Sequence, residues 1–361
     1  MSRREIQVAA QFLTAGSGGI ARCARLSIMA LADEAAITAL AVEDGEPTTI
    51  GQVRTRAFAG NRSAFVGANA LGALKADLVL YDFAGTARAH APLSLVGRPY
   101  ALWAHGWEVW PGNLRPDYAK ALRGAKAVFV NSEHTAVRLR QSLPELETSQ
   151  CCLLGTEKDI GARTPSNEPR EKLVLFVGRN DEMFAKGQDV LIGAWPQVMA
   201  EVPEARLYFV GGGERLEQLR ALAAASPAAD SIKIMGQLTD DEVAALQRRA
   251  RLFAMLSNVE GFGLVFAEAM SEGLPVLSAD ADASTEVNLD GETGYAVDRT
   301  EAALIVRRIV DVLKDDRLFT ALSRGARARW SSQFCFSAFR RRFLAAAASA
   351  GLIEPAPAIA Q

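Results

Sequence analysis

Two acidic residues, Glu260 and Glu268, lie on either side of the start of a predicted helix. Glu260 begins the glycine-rich sequence Glu-Gly-Phe-Gly that precedes the helix, and Glu268 lies inside it. The glycines let a ligand approach the backbone closely, and a helix N-terminus supplies N–H groups and partial positive charge that favour phosphate. The carboxylates are eight residues apart in the sequence, so we expect them to contact different parts of one ligand rather than share a helix face. The alternative is a tight turn followed by a solvated glutamate.

Two cations follow an earlier predicted strand of the same half of the chain. Arg179 and Lys186 lie in the segment Gly-Arg-Asn-Asp-Glu-Met-Phe-Ala-Lys-Gly. Because parallel strands end at one edge of a sheet, we expect both cations near Glu260, where a guanidinium and an ammonium would hold a diphosphate. The alternative is a solvated loop with two surface cations.

A third glycine-rich turn, which ends at Gly213, follows another predicted strand. It lacks the third glycine of a dinucleotide-binding fingerprint, because Leu216 stands at that position. This departure excludes nicotinamide binding.

The first half of the chain offers two candidate sites. The loop Gly16–Gly19, which includes Gly18, follows the first predicted strand and presents backbone donors to an anion, with a flexible turn as the alternative. His105, one of three histidines, follows a later strand and is either a site residue or a structural histidine. Asn131 and Ser132 end a further strand, where they are expected to cap a helix.

Alternating strand and helix patterns position these residues, which predicts parallel sheets flanked by helices that bind ligands at the strands' carboxyl ends. The predicted strands are Glu5–Ala10, Thr38–Val42, Asp77–Asp82, Pro99–His105, Ala125–Val130, Lys172–Val177, Ala205–Val210, Ser231–Met235, Leu252–Leu256 and Pro275–Ala279. The predicted helices are Ile20–Ala32, Asp117–Arg123, Ser132–Ser142, Gln188–Ala200, Arg215–Ala225, Asp240–Ala250, Leu264–Glu272, Ala302–Leu313, Arg317–Trp330 and Ser332–Ala350. No element is assigned around Glu43–Asn61, and Thr164–Pro169 is predicted to be a linker.

Composition limits the class of protein. The 361 residues are 49% hydrophobic and 23% charged, which is enough apolar material for two globular domains. The net charge of −2 gives no support to nucleic-acid binding, although residues 1–165 carry 18 basic and 15 acidic side chains, a small excess that favours an anionic partner. The four cysteines show no metal or disulfide spacing, which fits a reducing cytosol. The N-terminus does not resemble a signal peptide, and no apolar run is long enough to predict a membrane span.

Taken together, these motifs resemble the retaining glycosyltransferases of family 4, whose GT-B fold consists of two facing Rossmann-like, doubly wound α/β domains. The similarity covers most of the chain and is densest from Leu173 to Asp298. The matching features are the Glu-x7-Glu pair, the Gly-Arg…Lys-Gly segment, the Gly18–Ile20 loop, His105, Glu286 and the turn Gly291–Gly294. The resemblance implies an acceptor-side domain of residues 1–165, joined by a C-terminal crossover helix of about residues 335–361, and a donor-binding domain of residues 166–334.

The resemblance also implies transfer of a sugar from a nucleotide diphosphate donor to an acceptor hydroxyl, with the anomeric configuration retained. Arg179 and Lys186 would hold the diphosphate, Glu260 would face the donor sugar and phosphate, and Glu268 would bind the ribose. His105 would approach the sugar from the first domain. The remaining donor contacts implied are Gly18, Gly19, Gly213, Phe262, Gly263 and Leu264.

The implied mechanism needs no cofactor and no metal. Negative charge builds on the departing phosphate, which cations and helix N–H groups stabilise and which takes the acceptor proton. Asp280 and Asp282 imitate the Asp-x-Asp metal signature of the other main glycosyltransferase fold, but they follow a strand of the second domain, where we expect a polar loop. No second carboxylate is poised opposite Glu260, which disfavours a two-carboxylate hydrolase.

The implied partners are a nucleotide-sugar donor and a glycan or polyprenyl- or lipid-linked acceptor of surface polysaccharide or glycolipid assembly. A GDP- or UDP-sugar is favoured, GDP-mannose is the first candidate, and backbone groups near Met235–Leu238 are expected to read the base. The basic segment Phe334–Leu344 is expected to pack on the first domain rather than lie on a membrane. We expect no nucleic-acid partner and a cytoplasmic location, with peripheral contact to the inner membrane face through the first domain left open.

Two other classes of function remain as alternatives. The first is a nucleotide-sugar-binding module without catalysis. The second is another enzyme with the GT-B fold, such as a nucleotide-sugar epimerase or a phosphorylase.

Overall fold

The chain forms two compact units. The computed structural model describes residues 3–90, 98–146, 149–160, 169–180 and 186–354. One unit consists of Met1–Glu157 with Phe336–Gln361, and the other of Lys158–Cys335. The predicted boundary at residues 165 and 166, and all of the predicted linker except Pro169, lie outside the described residues. Each unit is built on one largely parallel sheet, which confirms the predicted fold class.

In the sheet of the first unit, the strand order reverses at β1. Its order is β3-β4-β2-β1-β5-β6-β7-β8, with all neighbours parallel except β3 and β4. The strands are β1 (Glu5–Ala10), β2 (Ala36–Ala41), β3 (Thr49–Ile50), β4 (Val53–Ala57), β5 (Leu78–Tyr81), β6 (Tyr100–Ala104), β7 (Ala127–Val130) and β8 (Gln150–Cys151). The helices are α1 (Gly19–Leu31), α2 (Arg62–Ala73), α3 (Ala84–Ala87), α4 (Pro116–Gly124) and α5 (Glu133–Ser142). Because β1 lies between β2 and β5, the loops after β1 and β5 border the switch point of this sheet.

The second unit repeats this plan. Its wholly parallel sheet has the order β11-β10-β9-β12-β13-β14. The strands are β9 (Leu173–Val177), β10 (Arg206–Val210), β11 (Ile232–Gly236), β12 (Leu252–Met255), β13 (Val276–Ala279) and β14 (Gly294–Val297). The helices are α6 (Gln188–Glu201), α7 (Leu216–Ala224), α8 (Asp240–Arg249), α9 (Leu264–Ser271), α10 (Ser284–Val287), α11 (Ala302–Lys314) and α12 (Asp316–Arg329). The switch point therefore lies between β9 and β12.

The central strands are nearly continuous apolar runs because helices cover parallel sheets on both faces. Leu173–Phe176 and Leu252–Met255 are buried at every position.

Local signals determine where two of the helices begin. The Ser132 side chain accepts a hydrogen bond from the Thr135 N–H, which confirms the predicted cap, and Thr239 begins α8 with a capping box.

The predicted helix Ser332–Ala350 is wrong in one respect. A π-helical turn spans Trp330–Phe334, and Cys335 is extended, so a new helix, α13 (Phe336–Ser349), begins after the break. Within the first unit, Phe339 and Phe343 of α13 stack on Trp103 with ring centroids 6.5 Å and 5.6 Å away. The basic C-terminal segment thus packs into a core, as expected. Among the helices described, none has both the length and the apolar character needed to span a bilayer.

Candidate functional site

The loops after β9 and β12 are neighbours at the switch point of the second unit. Residues Val174 and Leu175 of β9 lie opposite Leu252 and Phe253 of β12. The chain leaves both strands at the carboxyl edge of the sheet, so the segments that begin at Gly178 and Ser257 meet there. Such an edge is where open α/β sheets bind ligands.

Lys186 and Glu260 form an ion pair at this edge. The Lys186 Nζ lies 2.6 Å from Glu260 Oε1, and the exposed fractions of the two side chains are 23% and 11%. The structure therefore brings together the two residues for which the sequence predicts the same site. The pair is only partly shielded from solvent, so an anionic ligand can reach the ammonium.

Arg179 follows β9 at the same edge, and a neighbouring side chain holds its backbone in place. Its side chain is exposed, while its carbonyl oxygen accepts a 3.3 Å hydrogen bond from Gln188 Nε2 at the start of α6. Gln188 Nε2 also donates to Asn180 Oδ1 at 2.8 Å, and Asn180 Nδ2 donates to the Gly211 carbonyl at 3.1 Å. These amides tie the loop that carries Arg179 to the loop after β10.

Two loops approach each other so closely at position 213 that a glycine is required there. Its φ of +142° disfavours an L side chain, and a Cβ there would lie 2.4 Å from the Asn180 carbonyl oxygen. The glycine that the resemblance assigns to donor binding therefore also lets the loops after β9 and β10 pack together.

The N-terminus of α9 is anchored by two buried aromatic rings, Phe262 and Phe266. Gly263 starts the helix in the left-handed conformation at φ +86°, and a Cβ there would lie 2.4 Å from the Phe266 ring. The Phe262 ring is 3% exposed and packs edge-on against Phe334, with centroids 5.9 Å apart. Phe262 can thus contribute its backbone N–H to a ligand, but its side chain belongs to the core. Leu264 begins α9 and is buried, and Glu268, half-buried, is the fifth residue of the helix.

The two aspartates of the Asp-x-Asp motif lie in different environments. Asp280 is exposed, whereas Asp282 is 5% exposed. Asp282 Oδ2 accepts the Glu260 N–H at 2.7 Å, and its Oδ1 accepts the N–H and hydroxyl of Ser284 at 2.9 Å and 2.5 Å. Burial raises the pKa of Asp282, and the nearby charge of Glu260 adds to this, while the bonds from Ser284 oppose it. Both oxygens of Asp282 therefore face protein donors.

The glycine loop of the first unit is anchored by Asp44. Asp44 Oδ2 accepts hydrogen bonds from the N–H groups of Leu13 and Thr14, at 2.9 Å and 3.1 Å, just before the loop. Gly18 then has a φ of +96° and precedes α1, which begins at Gly19. The loop thus ends at a helix N-terminus, as the sequence predicts.

His105 is held by three neighbouring groups at the carboxyl edge of the same sheet. Its Nε2 lies 2.7 Å from the Asp82 carbonyl oxygen, its backbone N–H donates to Glu108 Oε1 at 2.6 Å, and its carbonyl accepts from Asn131 Nδ2 at 2.7 Å. A carbonyl only accepts, so the proton is on Nε2, and Nδ1 of the neutral ring is an acceptor. Burial lowers the pKa of His105, which favours that neutral form, although Glu108 opposes the shift.

Asp82 is a buried carboxylate beside His105 that sequence reasoning missed. It is 1% exposed, and its Oδ2 accepts the Gln11 N–H at 2.6 Å, so it joins the ends of β1 and β5. Burial raises the pKa of Asp82 from 3.8 to about 7, against the lowering effect of its hydrogen bonds.

Four anchoring residues, Asp44, Asp82, Asn180 and Asp282, were not assigned these roles from the sequence. Each follows the end of a strand by one to three residues. A polar residue directly after a buried strand was therefore an available signal, although it does not show which loop the residue binds.

Comparisons with known proteins show the family and the fold. The family model described as "Glycosyl transferases group 1" matches residues 161–329. The chain is 30% identical over 261 residues to the GDP-mannose-dependent alpha-(1-6)-phosphatidylinositol monomannoside mannosyltransferase of Mycolicibacterium smegmatis, an alignment covering 65% of this chain and 68% of that protein. It is 34% identical over 197 residues to the phosphatidyl-myo-inositol mannosyltransferase of Mycobacterium tuberculosis, covering 52% and 51% of the two chains. The chain thus spans about half the length of the second relative.

Solved structures share the fold. The Anabaena protein HepE in complex with UDP and glucose superposes with a TM-score of 0.81 at 19% identity, covering 95% of this chain and 99% of that one. Sucrose-phosphate synthase from Thermosynechococcus elongatus gives 0.81 at 20% identity, covering 94% and 97%. At these identities the likeness establishes the GT-B fold.

Proposed function

The chain belongs to the group 1 glycosyltransferases, and from this premise we propose that it transfers mannose from GDP-mannose to a hydroxyl of a lipid-linked acceptor. The choice of donor rests on the mannosyltransferase of Mycolicibacterium smegmatis, whose alignment covers 65% of this chain and whose name specifies GDP-mannose. The acceptor class rests on the same protein and on the phosphatidyl-myo-inositol mannosyltransferases, which act on inositol lipids by name.

The observation that carries the proposal is the Lys186–Glu260 pair at the switch point. We expect a diphosphate beside the N-terminus of α9 to bind the Lys186 ammonium, the first N–H groups of the helix and the guanidinium of Arg179, which follows β9 at the same edge. These groups stabilise the charge that builds on phosphate as the sugar departs. Glu260 then accepts hydrogen bonds from the sugar, and Glu268 from the ribose.

In the first unit we assign the donor-sugar contact to His105. Its Nε2–H is committed to the Asp82 carbonyl, so Nδ1 accepts a hydrogen bond from a sugar hydroxyl. Gly18 and Gly19 contribute N–H groups at the start of α1.

We propose retention of the anomeric configuration without a metal ion. Support comes from Asp282, the carboxylate hydrogen-bonded to the backbone of Glu260: its oxygens accept three donors, which disfavours it as a nucleophile, a general base or a cation ligand. The acceptor proton then passes to the departing phosphate. Anomeric analysis of the product by NMR and an assay in excess EDTA test the two parts separately; an inverted product contradicts the first, and loss of transfer in EDTA contradicts the second.

The experiment that tests the function compares donors on the purified chain. Thermal denaturation with GDP, UDP and ADP identifies the base, since a ligand at 100 times its Kd stabilises the folded state by about 2.7 kcal/mol. Transfer from radiolabelled GDP-mannose to phosphatidylinositol and to its monomannoside in vesicles is then measured against UDP-glucose. The expected result is a GDP-specific shift and labelled lipid.

Other results identify the competing functions. GDP binding with neither transfer nor slow donor hydrolysis contradicts an enzyme and supports a binding module. Conversion of the donor with no acceptor present supports an epimerase, and dependence on inorganic phosphate supports a phosphorylase. A UDP-specific shift overturns the choice of GDP-mannose. Binding to anionic vesicles in a sedimentation assay tests whether the first unit makes the peripheral membrane contact that the sequence analysis left open.

A further inference from the structure

We propose that Asp282 is a positioning residue for Glu260, and that Asp282 and Ala283 form a backbone clamp on it. The proposal deepens the function above and rests on it, because it gives Asp282 a task only if Glu260 contacts the donor. It concerns the loop after β13, which none of the donor contacts assigned above includes.

The clamp holds Glu260 at both of its backbone groups. Its N–H donates to Asp282 Oδ2 at 2.7 Å, and its carbonyl accepts from the Ala283 N–H at 3.3 Å. The loop after β12 is therefore tied across the sheet edge to the loop after β13. Without this tie, a glycine-rich loop would have many backbone conformations available, and the side chain of Glu260 would move with them.

The clamp requires a carboxylate and not merely a polar side chain. Three donors converge on two oxygens: the Glu260 N–H on Oδ2, and the N–H and hydroxyl of Ser284 on Oδ1. An asparagine has a single acceptor oxygen, so in either orientation its NH2 group would face an N–H donor. Asp282→Asn thus releases one side of the clamp with almost no change in volume.

The effect of Asp282 extends to Lys186 through Glu260. The Glu260 carboxylate, held in place by the clamp, accepts a hydrogen bond from the Lys186 ammonium at 2.6 Å. Asp282 is 5% exposed and lies behind Glu260, so it acts on the ligand only by holding Glu260 and, through it, the lysine.

The experiment compares Asp282→Asn with Asp280→Asn, a matched change two residues away at an exposed position of the same motif. We expect D282N to lower kcat at least tenfold with a smaller change in the KM for the donor, and D280N to stay within twofold of the wild type. A double-mutant cycle with Glu260→Ala separates positioning from an independent role. If Asp282 acts through Glu260, then E260A/D282N is no slower than E260A.

Equal losses in D280N and D282N would overturn the proposal, because they indicate that the pair acts as a metal site. A further tenfold loss in E260A/D282N relative to E260A, or full activity in D282N, would also overturn it. Hydrogen exchange at the Glu260 amide supplies a readout that needs no activity: we expect protection in the wild type and its loss in folded D282N. If the wild type transfers no sugar, the proposed function fails, while this exchange measurement still decides whether the clamp exists; equal exchange in the two proteins overturns the clamp.

Discussion

Two lysine–glutamate pairs lie at opposite edges of the same sheet in the second unit. At the carboxyl edge, Lys186 pairs with Glu260 at 2.6 Å; at the amino edge, Lys158 pairs with Glu272 at 2.8 Å. Both glutamates are largely buried, with 11% and 5% of their side chains exposed. The local chemistry of the pairs is therefore similar, and their surroundings distinguish them.

The amino edge surrounds Glu272 with guanidinium groups. Arg248 lies 4.0 Å from its carboxylate, Arg170 donates to its backbone carbonyl, and Arg327 donates to the preceding carbonyl of Ser271. Glu272 partly offsets the burial that lowers the pKa of Arg170 to about 10. The guanidinium groups here thus contact a carboxylate and carbonyls of the protein itself.

The carboxyl edge is arranged differently. In the described part of the chain Glu260 is paired with one ammonium, and glycines and a helix N-terminus border it. A buried ion pair alone therefore does not indicate a functional site. The indication is a pair at the strand ends of a switch point that is bordered by glycines and by a helix N-terminus.

The largest effect expected from this comparison concerns activity at the carboxyl edge. Lys186→Ala and Glu260→Ala should each lower the rate of transfer by about 10²–10³-fold, because each removes one electrostatic contact to the transition state. Steady-state kinetics with GDP-mannose, the proposed donor, measure this loss, and circular dichroism shows whether the variants remain folded.

Lys158→Ala is the matched control, since it removes the lysine of the other pair. We expect its transfer rate to stay within twofold of the wild type. A loss in K158A as large as that in K186A would abolish the distinction between the two edges.

The second effect concerns stability at the amino edge. Glu272→Ala should lower the free energy of unfolding by about 2 kcal/mol, because buried guanidinium groups lose their counter-charge. Chemical denaturation measures this change, and the folded fraction should keep its transfer rate. Glu171→Ala breaks an exposed ion pair with Arg249 near the same edge and should cost at most about 0.5 kcal/mol. Similar stability for E272A and the wild type would contradict a structural role for this cluster.

The meeting of Lys186 with Glu260 could be predicted from the sequence, and the clamp on Glu260 could not. Both residues of the pair follow strongly apolar strands, and a parallel sheet places such strand ends at one edge. The hydrogen bond from the Glu260 N–H to Asp282 depends instead on the distance between the loops after β12 and β13. Side-chain packing sets that distance, and periodicity does not report it.

Strand β4 and the break at Cys335 also differ from what the sequence analysis predicted, and local patterns explain why. Strand β4 reads Val-Arg-Thr-Arg-Ala, with Val53 and Thr55 buried and the two arginines exposed. This period-2 pattern is that of a strand with one solvated face, but its polarity differs from the apolar runs that marked the central strands. The break at Cys335 was missed because the apolar spacing continues across the π-helical turn.

A third prediction extends the comparison to the carboxyl edge of the first unit. Burial raises the pKa of Asp82 from 3.8 to about 7, so between these values the folded chain keeps a proton that the unfolded chain has lost. The free energy of unfolding should therefore fall as pH rises through this window, by about 1 kcal/mol per pH unit. Asp82→Asn keeps an acceptor for the Gln11 N–H and should remove this part of the pH dependence. Parallel stability profiles of D82N and the wild type between pH 4 and 7 would show that Asp82 ionises normally.

The smallest expected effect tests whether a residue at the carboxyl edge can have a structural role without a role in catalysis. Ser132 lies at that edge of the first unit, directly after Asn131, which bonds the His105 carbonyl, but its side chain accepts the Thr135 N–H at 3.0 Å and caps α5. Ser132→Ala should therefore lower the free energy of unfolding by about 1 kcal/mol and leave the transfer rate unchanged. Denaturation and steady-state kinetics on the same preparation measure both. A loss of transfer in S132A with unchanged stability would contradict a purely structural role for Ser132. It would mean that a position at the carboxyl edge is enough to affect catalysis, and the difference between the two lysine–glutamate pairs would then need another explanation.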